Sequence, residues 1–300
     1  FAREFRAQPP SLIHAAWGSA PATAAWLLSR LDGYRYSAAA HAYDLFEHGG
    51  DWWLREKLLP AEFVHTSTEM GRRALHARGI PPARIACIRR GLERIPPLRP
   101  LRPSRSPLHL ICVARLVEKK GLEYQLRIYA ALRAAGVPFA ARIVGDGPLR
   151  PELERLAGHL GLAADLTFTG HLPQHEVWRH LEWADVLLHT GVIAASGDRD
   201  GLPNVIPEAM SVGVLVVTSP VAATTEAVTQ GVTGFVIPVD ASDQWASALR
   251  RLSVDDAFAE KLRAAARRWV EENFDAHQNA AHLFARFQAA LAADHPARAP

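Results

Sequence analysis

Short apolar runs alternate with amphipathic stretches along most of this chain. Beyond residue 107 the apolar runs fall at Leu108–Ala114, Ala140–Val144, Leu166–Thr169, Val186–His189, Val214–Thr218 and Gly234–Pro238. They are short and apolar on both faces, which predicts strands covered on both sides, as in a parallel sheet. The amphipathic stretches between them predict helices at Glu123–Ala135, Leu149–Leu160, His175–Trp183, Pro203–Ser211 and Thr224–Thr229. Strand–helix alternation of this kind predicts an α/β domain with a doubly wound parallel sheet. The C-terminal part reads as helix throughout, at Ala241–Leu252, Asp255–Asn273 and Ala276–Ala292. The last of these should bury a stripe of Ala280, Leu283, Phe284 and Phe287.

The first third repeats the alternation less regularly, with strand candidates at Leu12–Ala16, Tyr36–Ala40, Phe63–Ser67 and Ile85–Ile88. After it, Arg94–Pro107 holds five prolines and reads as an extended inter-domain linker. The chain opens at Phe1 in what reads as helix, so an N-terminal segment is expected to be missing.

Composition adds limits. The 300 residues are 49% hydrophobic and 22% charged, with a net charge of +3, which suits two globular domains. No apolar stretch reaches a membrane span and no signal peptide opens the chain. The only cysteines, Cys87 and Cys112, lie in apolar runs and read as buried free thiols, which predicts a cytoplasmic protein. Arginines cluster between Arg84 and Arg105. Such a strip suits phosphate or anionic lipid, so peripheral membrane contact stays open. It lacks the aromatic interleaving of a nucleic-acid platform, and no nucleic-acid partner is expected.

In a doubly wound sheet, ligands sit beyond the carboxyl ends of the strands. Arg115 and Lys120 follow the first strand of the second domain, and Gly121 opens the next helix, a setting for phosphate. Gly145-Asp-Gly147-Pro follows the second strand and lets the backbone turn sharply or approach a ligand. The most informative segment is Ser196–Met210. It places Asp200 on a loop and Glu208 eight residues on, inside a helix entered through Gly201-Leu202-Pro203-Asn204. Two carboxylates can accept hydrogen bonds from sugar hydroxyls while the N–H groups of Gly201 and Leu202 hold a diphosphate.

That segment resembles the E-x7-E motif of retaining GT-B glycosyltransferases of family 4, bacterial exopolysaccharide type, with Asp in place of the usual first Glu. Thr167-Phe-Thr-Gly170-His171, Gly145–Pro148, and Thr224–Glu226 followed by Gly231–Gly234 match further landmarks of that family in order. His41-Ala-Tyr-Asp-Leu-Phe46 resembles its N-terminal histidine motif, and Ser67–Glu69 and Arg89–Gly91 resemble two smaller elements. The resemblance implies two Rossmann-like doubly wound domains facing a cleft, the first incomplete. Residues 1–94 would be the partial acceptor-side domain, 95–107 the linker, 108–274 the donor domain, and 275–292 a helix crossing back.

It further implies that Asp200 and His41 contact the transferred sugar, that Glu208 contacts the ribose, and that Arg115 and Lys120 hold the diphosphate. Gly145, Gly147, Gly170, His171, Gly201, Leu202, Pro203 and Asn204 would complete the donor site. The implied activity is metal-independent hexosyl transfer with retention, from a nucleotide diphosphate sugar to a saccharide or lipid-linked acceptor, with no cofactor. Two other readings stand beside it: a non-catalytic nucleotide-sugar-binding module or inactive fragment, and a GT-B epimerase, which the Asp200–Glu208 spacing disfavours.

Overall fold

The computed structural model describes residues 2–103 and 105–293. Its contacts divide the chain into two units. The first takes residues 1–93, 195–201 and 276–300, and the second takes 94–194 and 202–275.

The first unit opens with helix α1 (Ala2–Ala7). It is then built on strands β1 (Ile13–Ala15), β2 (Tyr36–Ala39), β3 (Val64–Thr66) and β4 (Ile85–Cys87), joined by α2 (Ala20–Asp32), α3 (Ala42–Phe46), α4 (Leu54–Leu58) and α5 (Glu69–Ala77). The strands pair in sequence order, all parallel. Each is short because a polar or glycine-containing turn follows within a few residues. Ala38, Leu45, Leu58, Val64 and Leu75 fill the core between sheet and helices. Tyr36 donates its hydroxyl to the Lys57 carbonyl, and the buried Lys57 ammonium pairs with Asp51. A charge taken from water in this way needs that partner.

The second unit carries β5 (Leu108–Val113), β6 (Phe139–Val144), β7 (Leu166–Gly170), β8 (Val186–His189), β9 (Leu215–Thr218) and β10 (Phe235–Val236). Their order, β10-β9-β8-β5-β6-β7, reverses direction between β5 and β8, which is the switch point of a doubly wound sheet. Helices α6 (Leu122–Ala134), α7 (Arg150–His159), α8 (Gln174–Trp183), α9 (Val205–Ser211), α10 (Ser242–Val254) and α11 (Asp256–Asn273) connect and cover it. Leu110, Cys112, Leu126, Tyr129, Leu188, Trp245 and Leu249 meet in one continuous core. Trp245 is wholly buried and satisfies its indole N–H on the Pro238 carbonyl at 2.9 Å.

The proline-rich stretch is not a free tether. Arg102 forks onto the buried Asp185 carboxylate, and Arg99 donates to the Glu182 carbonyl at 3.1 Å. Arg105, 1% exposed, bonds the Leu252 carbonyl at 2.8 Å and pairs with Asp256. The arginines expected to form an external basic strip are thus partly spent inside the second unit, where prolines prevent the segment from bonding as helix or sheet.

Two predicted elements shrink. Thr224–Thr229 forms only one tight turn at Thr224–Glu226, because the Thr224 hydroxyl bonds the Ser219 and Val221 carbonyls and Thr233 bonds the Ala227 carbonyl. Threonine hydroxyls compete there with helix bonds. Gly234–Pro238 reduces to Phe235–Val236 on the sheet edge.

Helix α12 (Ala276–Ala292) belongs to the first unit. Its apolar seam is Leu283, Phe287 and Ala290, packed against Phe63 and Ala86, while Phe284 is 60% exposed and Ala280 is also exposed. The stripe expected through Ala280 and Phe284 is therefore turned to solvent. Cys112 is buried and its thiol is pushed up to about 12 by burial, whereas Cys87 is only partly buried.

Candidate functional site

In the second unit, four loops leave the carboxyl ends of β5, β6, β7 and β8, and hydrogen bonds tie them together. Leu116 N–H donates to the Asp146 carbonyl at 2.9 Å, Gly145 N–H to the Gly170 carbonyl at 2.9 Å, and Val192 N–H to the Lys119 carbonyl at 2.9 Å. Arg115 and Lys120 (after β5), Gly145 and Gly147 (after β6), Gly170 and His171 (after β7) thus share one edge of the sheet.

The glycines are there for space. A Cβ on Gly145 would stand 1.9 Å from the Ala114 carbonyl oxygen, and its φ of +136° excludes most side chains. A Cβ on Gly147 would stand 2.5 Å from the Leu116 carbonyl oxygen. Gly121, at φ +58°, lies so close to Thr190 that a Cβ would fall 2.1 Å from its carbonyl oxygen. The Thr190 hydroxyl in turn donates to the Lys120 carbonyl at 3.1 Å. The Lys120 backbone is therefore clamped onto the loop after β8, with the Lys120 side chain partly exposed and Arg115 exposed.

Helix α9 starts at Val205, two residues later than expected, with Asn204 as its cap residue and Pro203 buried before it. Glu208 lies in its opening turns, half-buried, and burial pushes its carboxyl above the usual range. Gln174, the first residue of α8, stands with its amide 3.5 Å from a Glu208 carboxylate oxygen, which eases that burden. The sequence reading missed Gln174; the signal was its place just after the Thr-Gly-His landmark, behind Pro173.

Asp200 and Gly201 end a loop, 195–201, that belongs to the first unit, and the chain passes to the second unit at Leu202. Ser196 accepts from the His48 N–H at 2.7 Å, and the Arg199 guanidinium lies over the Phe46 ring at 4.7 Å. Gly201 faces Thr68 and Ala42.

Those neighbours flank the histidine motif. His41 follows β2 and opens α3, and its N–H donates to the Asp44 carboxylate at 3.0 Å. The Ser67 hydroxyl stands 3.4 Å from Nδ1 of His41, and Trp17 and His65 meet the imidazole edge-on at 5.3 and 5.6 Å. Burial, with charge from His65, Arg90 and His14 adding to it, pushes His41 down to about 4. A neutral imidazole results at physiological pH, with one nitrogen donating and one accepting. His14 and His65, which the sequence reading passed over, complete the cluster, and both are held down chiefly by burial. Thr68 caps α5, accepting from Gly71 N–H at 3.0 Å.

Residues 100–269 match the family model of the glycosyl transferases group 1. The chain is 34% identical over 203 residues to the putative colanic acid biosynthesis glycosyltransferase WcaL of Salmonella typhimurium, covering 67% of this chain and 50% of the relative. It is 33% identical over 217 residues to the amylovoran biosynthesis glycosyltransferase AmsK of Erwinia amylovora, covering 72% and 53%. The chain therefore spans about half the length of the relatives it matches.

Among solved structures, Anabaena Alr3699/HepE in complex with UDP superimposes with a TM-score of 0.79 at 18% identity, covering 96% of this chain and 80% of that one. Sucrose-phosphate synthase from Thermosynechococcus elongatus superimposes with a TM-score of 0.80 at 20% identity, covering 97% and 77%. The fold, with a smaller first sheet, is of the GT-B class. The chain belongs to the group 1 glycosyl transferases.

Proposed function

We propose that this chain is the donor-binding part of a retaining hexosyltransferase, which moves a sugar from a nucleotide diphosphate to a saccharide or lipid-linked acceptor in polysaccharide biosynthesis inside the cell. The observation that carries this reading is the tied edge of four loops in the second unit. Two cations, Arg115 and Lys120, follow β5 in that set of loops, and Glu208, half-buried in α9, meets Gln174 after β7. The names of the exopolysaccharide relatives and the UDP complex of a structural neighbour support it.

Cleavage of the sugar–phosphate bond leaves negative charge on the diphosphate. Arg115 and Lys120 would stabilise that charge in place of a metal ion, with the N–H dipoles of Gly201 and Leu202 assisting and Gly145, Gly147 and Gly170 letting the backbone approach the ligand. His171, Pro203 and Asn204 would shape the nucleotide end, and Glu208 would accept from the ribose hydroxyls. His41, neutral, would donate a hydrogen bond to the transferred sugar, and Asp200, beside Gly201, would accept from its hydroxyls. The acceptor hydroxyl would attack from the side the diphosphate leaves, giving its proton to a phosphate oxygen.

Calorimetric titration with UDP, GDP and ADP, then with the matching nucleosides, tests the donor reading. Lys120→Ala is expected to weaken diphosphate binding about tenfold or more and nucleoside binding little; equal losses refute the phosphate role. A second reading is a nucleotide-sugar-binding module without turnover. Nucleotide sugar that binds but is neither transferred nor hydrolysed would decide for it.

A further inference from the structure

Helix α6 buries a primary amide among apolar side chains. Leu122, Leu126, Ile128, Tyr129 and Leu132 face the core of the second unit, and Gln125 lies with them, 0% exposed. An amide taken wholly out of water is costly unless its hydrogen bonds are made. Leucine or methionine would fill the same place without that requirement, so the amide needs a reason.

Both ends of it are bonded. Its NH2 donates to the Tyr129 hydroxyl at 2.6 Å, one turn on in the same helix. Its oxygen accepts from the Thr190 hydroxyl at 3.1 Å. The buried Cys112 thiol of β5 also meets the amide. Tyr129 and Thr190 are buried as deeply as Gln125.

The bond to Thr190 is the one that reaches across the fold. Thr190 follows β8 directly and stands 65 residues from Gln125. Its hydroxyl oxygen lies 3.1 Å from the amide oxygen and 3.1 Å from the Lys120 carbonyl. β5 and β8 are the neighbours at which the strand order reverses, so this chain of bonds crosses the switch point of the sheet. The close approach of Gly121 to Thr190, and the Val192 N–H on the Lys119 carbonyl, already bring the two loops together. They leave the Thr190 side chain free to turn among its staggered positions. Gln125 selects one of them. Any other would strip the buried amide oxygen of its partner, and the one selected also faces the Lys120 carbonyl.

We propose that Gln125 and Thr190 are positioning residues for Lys120, holding the peptide from which its ammonium meets the diphosphate. Both are buried, so neither touches a ligand, and each acts through Lys120. The inference rests on the donor reading above, in which Lys120 holds that group.

The test titrates the full chain with UDP, GDP and ADP, each beside its nucleoside, and records the melting temperature of every variant. Thr190→Val and Gln125→Met are expected to weaken diphosphate binding about fivefold and nucleoside binding less than about twofold. Thr190→Ser keeps the hydroxyl and should stay within about twofold of wild type for both. Leu132→Ala truncates the core at the far end of the same helix. It should lower the melting temperature and leave the ratio of diphosphate to nucleoside affinity unchanged. The double variant Thr190→Val/Gln125→Met removes both partners of one bond, so it should melt higher than the two single losses added together predict, while its diphosphate affinity stays low. Equal losses for diphosphate and nucleoside, or diphosphate losses that follow melting temperature through Leu132→Ala, would leave the amide a purely structural role and overturn the proposal. Lys120→Ala separates the two readings. If it leaves diphosphate affinity unchanged, the donor reading is at fault; if it weakens diphosphate selectively and Thr190→Val does not, the positioning inference fails alone.

Discussion

At the scale of single residues, the histidine cluster makes a prediction with a definite sign. His41 falls from 6.5 to about 4 on folding, and His14 and His65 fall too. Between those limits the unfolded chain binds more protons than the folded one, so stability rises with pH there. The folded state is most favoured above pH 6.5 and loses ground as pH drops toward 4. Urea unfolding at pH 7, 6 and 5 should show this decline, and His41→Gln should make it shallower by removing one of the three groups. A slope unchanged in the variant would mean that His41 is not buried uncharged. His41 stands out in the sequence through the resemblance of His41–Phe46 to the family's histidine motif, not through its position alone. His14 and His65 do not stand out, since a lone histidine within a strand carries no sign of which face it takes or what it meets there.

At the scale of elements, the strands and most helices of the second unit follow from apolar runs alone, because a strand covered on both faces leaves no other reading. What the pattern does not carry is how irregular backbone is satisfied. The proline-rich stretch reads as a tether, yet Arg99, Arg102 and Arg105 fasten it to Ala184, Asp185 and Leu252. The loop at 195–201 reads as part of the helix corner that follows, yet its contacts lie with Phe46 and His48. Both depend on partners remote in sequence. The glycine turns are the opposite case, visible in the sequence and explained only by the structure. Gly145→Ala should destabilise the protein by about 3 kcal/mol or more, since the new Cβ has neither room nor an allowed φ. Gly136→Ala, at φ +68° with nothing within 4 Å, should cost only about 1 kcal/mol. Melting temperatures of the two variants compare them directly. Similar losses would show that the turn after β6 can open to admit a side chain, and that the backbone ties around Leu116 are loose.

At the scale of the whole molecule, the two units each hold a core of their own: one around Leu110, Leu126 and Trp245, the other around Ala38, Leu58 and Val64. The arginines of the proline-rich stretch secure the second unit from within, and Arg263 adds a bond to the Gly213 carbonyl at 2.7 Å. Arg115, Lys120, Leu202 and Glu208 of the proposed donor site lie in that unit. A fragment of residues 94–275 should therefore fold alone and unfold cooperatively. It keeps the 195–201 loop as a tether without its packing surface, so Asp200 loses its setting while Lys120 and Glu208 keep theirs. The expected result is UDP affinity within about tenfold of the full chain, a melting temperature raised by UDP in proportion to that affinity, and no sugar transfer. The fragment separates two contributions that the intact chain cannot. If UDP binding falls with the first unit's removal as far as it does in Lys120→Ala, the diphosphate is not held by the second unit's strand ends, and the donor assignment of Arg115 and Lys120 goes with it.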